Sequence, residues 1–107
     1  MDNPMENDRM STTLRLARTP GTPLEGVERA AIRGHARGAW ERRDPRQRLA
    51  VRLPGVRLSD LQQLPAELER QEHFADASIR VEAGGDGVPV LLLDPRRHAA
   101  ERARKEW

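Results

Sequence analysis

The sequence predicts a single small α+β domain, and three observations predict it. Two segments show helical organisation, one over Pro23–Arg43 and one from Ser59 to His73 or Phe74. Three short segments show strand patterns: Gln47–Leu53, Ser78–Glu82 and Val88–Leu93. A last helix opening at Asp94 completes the order α-β-α-β-β-α. Helices segregated from strands in this way give a small, mostly antiparallel sheet covered by helices. At 107 residues the chain has room for one domain and a modest core.

Residues 1–21 have no apolar period and close on the breaker cluster Thr19-Pro20-Gly21-Thr22-Pro23. They are expected to be a flexible tail, with the domain spanning residues 22–107. Thr22 has the N-cap position of the first helix, Pro23 its first turn, and Glu25 the capping-box spacing. Asp44-Pro45 ends that helix, because a residue before proline avoids helical geometry. In the next segment Leu49, Val51 and Leu53 alternate with Arg48, Ala50 and Arg52, as in a half-buried strand. Pro54-Gly55 follows as a turn.

Ser59 has the N-cap position of a second helix, with Leu61, Leu64 and Leu68 on one face. Pro65 requires that helix to kink or restart. Ala83-Gly84-Gly85-Asp86-Gly87 reads as a hairpin turn between two strands. Val88–Leu93 is the most apolar segment and should be the most buried strand, with Pro89 at its start or on an edge. Asp94-Pro95 has the cap and first-turn residues of the last helix, which runs to Trp107.

Charge is distributed unevenly. Arg9–Arg57 holds 12 arginines against four acids, whereas Ser59–Pro95 holds two arginines against eight acids. The stretch from Arg96 to the end is basic again. The excess of 18 arginines over the single Lys105 accompanies abundant Ala, Gly and Pro. That is the codon signature of a GC-rich bacterial or phage genome.

Catalytic classes fail for want of residues. The lone lysine lies near the C-terminus, away from any phosphate-loop or Schiff-base context. None of Ser11, Ser59 and Ser78 lies in a nucleophile-elbow motif. His35, His73 and His98 lack zinc-ligand spacing, and there is no cysteine. Asp76, Glu82, Asp86 and Asp94 lack calcium-loop spacing. No catalytic, cofactor or metal site is expected. The missing membrane-length apolar run and signal pattern lead to the expectation of a cytoplasmic protein.

The candidate partner-binding residues are Arg29, Arg33, Arg37, Trp40, Arg48 and Arg52. Arg29, Arg33 and Arg37 recur every four residues and should form one ridge, with Trp40 and Glu41 a turn further on. Ala30, Gly34 and Gly38 make a small-residue stripe beside it, which permits close backbone approach. The competing structural reading is a solvated face, with Glu25 and Glu41 pairing to Arg29 and Arg37. The strand Arg48–Pro54 resembles, over seven residues, the opening strand of ribbon-helix-helix repressors. Pro65 and the β-hairpin depart from that family's pattern, so the family is not assigned.

These observations favour a non-enzymatic protein-interaction module, such as an adaptor, inhibitor or assembly subunit, with another protein as partner. The alternative is an arginine-rich nucleic-acid binder or transcription regulator. Against that alternative stand a net charge of only +2 and three aromatic residues for stacking bases. Homo-oligomerisation is open to either, and a membrane partner is not expected.

Overall fold

The computed structural model describes residues 10–19 and 22–96. Its elements are β1 (Met10–Thr13), α1 (Gly26–Arg42), β2 (Leu49–Arg52), α2 (Leu64–Glu69), β3 (Ala77–Ala83) and β4 (Pro89–Pro95). Short 3-10 turns at Leu58–Leu61 and Glu72–Phe74 flank α2. The strands form one mixed sheet in the order β1-β2-β4-β3. β1 and β2 are parallel, so the chain needs a crossover between them, and α1 provides it. β4 is antiparallel to both β2 and β3.

Strand alternation gives the sheet two unlike faces. On one face Leu49, Leu93 and Ile79 stand opposite one another across β2, β4 and β3, as do Val51, Leu91 and Val81. Onto this face pack Ile32, Ala36, Ala39 and Trp40 of α1, Leu64 and Leu68 of α2, and Leu61 and Phe74 of the flanking turns. Burying each large apolar side chain contributes about 1.5–3 kcal/mol, so this aliphatic cluster is the main stabilising element. The other face carries Ala50, Arg52, Val90, Leu92 and Asp94 with Ser78, Arg80 and Glu82. Among the described residues no helix covers it.

The α+β class and element order agree with the sequence reading, and several details differ. Met10–Thr13 is a strand within the segment read as a flexible tail. Its four residues gain order from long-range pairing with Leu49–Arg52, a contact that local periodicity does not reveal. α1 begins at Gly26, not Pro23, with Glu25 at the cap position. The Glu25 N–H donates to Glu28 Oε1 at 3.0 Å, so the capping spacing is used one turn later than Thr22 and Glu25 suggest. Burial of Leu24 in the core explains the delay, because it fixes the chain just before the helix.

The expected second helix is a 3-10 turn, the six-residue α2 and another 3-10 turn. The restart places Pro65 in the first turn of α2, where its missing N–H costs nothing. The turn at Pro54-Gly55 uses a left-handed Gly55, φ +85°. Pro89 opens the central strand β4, and its C=O accepts from Leu53 N–H at 3.0 Å. The Leu53 C=O, which Pro89 cannot serve, accepts instead from Val56 N–H at 3.3 Å. Asp94 and Pro95 are strand residues rather than a helix start, opposite Ser78 and Ala77. The remainder of the expected last helix lies outside the described residues.

Candidate interaction surface

α1 lies on the core side of the sheet, so its buried stripe (Ile32, Ala36, Ala39, Trp40) fixes which residues face outward. Arg29, Arg33 and Arg37 follow one another at four-residue spacing along one flank of the buried stripe. Arg29 Nη1 lies 3.9 Å from Glu67 Oε1 of α2, and Arg37 Nε donates to Glu41 Oε1 at 3.2 Å. Arg33 makes no ion pair among the described residues. The ridge is therefore one uncompensated cation between two compensated ones. Arg37 takes the partner that the structural reading of the sequence assigned to it. Arg29 does not, because Glu25 serves the helix cap.

Trp40 faces inward. It is 7% exposed and belongs to the core. The Arg43 guanidinium lies 3.2 Å from the centre of its ring, a cation–π contact that covers the indole. Burial holds the Arg43 pKa below its ordinary value, an effect that neighbouring Asp44 only partly offsets. Trp40 follows Arg37 by three residues, close enough to the ridge to be assigned to it. Its apolar bulk turns it inward.

Arg48 and Arg52 lie across the sheet from α1, because they alternate with the core residues Leu49 and Val51. Arg48 Nε is 3.0 Å from Asp94 Oδ1, and Arg52 pairs with Asp86 of the hairpin turn. On the same face Arg80 contacts Glu82 at 2.8 Å and Asp94 at 3.9 Å. Arg48, Arg52 and Arg80 are thus each matched by an acid of β3, β4 or their hairpin turn. The six candidate residues thus divide among three environments and do not form one basic surface.

The outermost surface of α1 is a different set. Val27 is 81% exposed, and Ala30, Ala31 and Gly34 are exposed with it. They follow one another at helical spacing of three, four and seven residues. A Cβ built on Gly34 meets nothing within 4 Å, whereas one on Gly38 lies 3.0 Å from Arg42 Nη1. Among the described residues the stripe is therefore open at Ala30 and Gly34, and closed at Gly38 by the Arg42 side chain. The sequence pattern identified Ala30, Gly34 and Gly38 but not Val27, which extends the stripe by one turn.

Two contacts fix α1 to the preceding chain. Thr12 Oγ1 of β1 and His35 Nε2 are hydrogen-bonded at 3.0 Å. The Arg18 side chain is 5% exposed, with Nε 3.2 Å from Glu28 Oε2. Its three nitrogens make no well-directed hydrogen bond, so this is an ion contact at poor angle. His73 Nδ1 lies 3.7 Å from Glu41 Oε1, at the opposite end of the helix.

No helix among the described residues is long and apolar enough to cross a membrane. No family model matches the chain, and no curated protein or solved structure matches it at a significant level.

Proposed function

We propose that this chain is a small non-enzymatic interaction module, acting in the cytoplasm, whose partner is another protein docked on the outer face of α1. The observation that carries this reading is the exposed run Val27, Ala30, Ala31 and Gly34, which nothing among the described residues covers. Exposed apolar surface of this kind suits a protein contact, and a glycine lets a partner approach the helix backbone closely. Arg29, Arg33 and Arg37 with Glu41 and Glu67 give the flank a mixed-charge rim. Such a rim orients a partner and raises the association rate more than it adds affinity. A nucleic acid needs several cations available for phosphates. Arg29, Arg37, Arg48 and Arg52 are each paired with an acid, which favours a protein partner.

The test is affinity capture from the native host, comparing the wild type with Gly34→Gln and with the Arg48→Ala/Arg52→Ala variant. The captured protein, once purified, should bind Gly34→Gln about tenfold more weakly, roughly 1.4 kcal/mol, and the sheet variant as the wild type. Equal binding to Gly34→Gln would show that the partner does not dock on the outer face of α1. Binding to random duplex DNA that weakens steeply with salt would favour the nucleic-acid reading instead.

A further inference from the structure

The outer edge of β3 is a second surface, independent of α1. Antiparallel pairing alternates residues that bond to the neighbouring strand with residues that point away from it. The bonds from Arg96 N–H to Asp76 C=O and from Gly84 N–H to Val88 C=O fix the alternation. The even-numbered residues of β3 bond to β4, and Ala77, Ile79, Val81 and Ala83 direct their backbone groups outward. At the Ala77 end these groups have partners: Arg96 Nε donates to Ala77 C=O at 2.9 Å, and Ile79 N–H donates to Glu69 Oε2 at 3.2 Å. Around Val81 and Ala83 the edge has no such cover among the described residues. An uncovered strand edge is a template for pairing with another strand.

We propose that this edge pairs with the β3 edge of a second copy of the chain, antiparallel about a two-fold axis at Val81. Charge selects the register. A two-fold centred on Arg80 sets Arg80 against its own copy, and one centred on Glu82 does the same with two carboxylates. A two-fold at Val81 places Arg80 opposite Glu82 of the second copy, twice, on the face of the sheet away from the core. In that register Val81 bonds to Val81 of the other copy, and Ala83 N–H meets Ile79 C=O. The Glu69 cap on Ile79 N–H either remains or exchanges for Ala83 C=O. The two four-stranded sheets then continue as one sheet of eight strands. Opposed charges directly across a ladder favour pairing and like charges disfavour it.

Sedimentation equilibrium tests this, with three sets of variants. The wild type should show a concentration-dependent monomer–dimer equilibrium. Val81→Pro removes an N–H that points away from β4, so the fold keeps its ladder, and dimerisation should weaken at least about tenfold. Arg80→Glu alone and Glu82→Arg alone should each weaken it, and the double variant Arg80→Glu/Glu82→Arg should restore it. A wild type that stays monomeric to about 1 mM overturns the proposal, as does a dimer indifferent to single charge reversal. Slow exchange of the Val81 and Ala83 amides in a monomer would assign the edge to another segment of the same chain, and also overturns it.

Discussion

Replacing Trp40 by alanine separates the core account of this residue from its sequence-level assignment to the binding ridge. Trp40 is 7% exposed, packed in the cluster that contains Ile32, Ala36 and Ala39, and capped by Arg43. Truncating a buried tryptophan costs about 3–5 kcal/mol. Loss of the Arg43 contact adds about 0.5–2 kcal/mol. Against a total stability of roughly 5–15 kcal/mol for a domain, Trp40→Ala should remove a large share. Urea unfolding followed by far-UV circular dichroism should show the midpoint falling by about 2 M, given a slope of about 1–3 kcal/mol per M. Arg43→Ala, which leaves the indole in place, should cost only about 1 kcal/mol. A Trp40→Ala protein within about 0.5 kcal/mol of the wild type, but weakened in partner binding, would place Trp40 on the surface and overturn its assignment to the core.

Other outcomes follow from the same structure. Gly34→Ala should raise stability by about 0.5–1 kcal/mol, because the helix gains a better former and the new Cβ meets nothing. Gly55→Ala should lower it by about 1 kcal/mol, since φ +85° is strained for any residue with a Cβ; thermal melting compares the pair. Glu28→Gln retains a capping residue but leaves the buried Arg18 cation without its counter-ion, and should cost about 3 kcal/mol in the same melts. The hydrogen bond from Arg57 holds the Asp60 carboxyl below its usual pKa of 3.8. A depressed carboxyl stabilises the fold above its unfolded pKa, and that contribution disappears as pH falls through the folded value. Asp60→Asn should therefore flatten the acid limb of stability measured from neutral pH downward.

The parts of the fold legible in the sequence are those set by local pattern. The alternation of Leu49, Val51 and Leu53 with Arg48 and Arg52 defined β2 and sent those arginines to the face away from the core. The hairpin joining β3 and β4 was marked by its glycines. β1 was not legible, because Met-Ser-Thr-Thr has no alternation and is a strand only through its parallel partner far along the chain. Asp94-Pro95 has the composition of a helix start, yet its register with Ser78 and Ala77 keeps it in the sheet. At the site, spacing alone found the arginine ridge and the small-residue stripe. It could not show that Glu67, Asp86 and Asp94, remote in sequence, neutralise Arg29, Arg52 and Arg48. The basic and acidic halves of the chain meet within the fold, which moves the weight of the functional reading from the arginines to the exposed helix face beside them.

The most direct test of that reading is the affinity of the purified partner for wild type and Gly34→Gln, compared at equal folded fraction. A loss of about tenfold is expected, because the glutamine adds bulk at a position where an added Cβ meets nothing among the described residues. Unchanged affinity would contradict that reading.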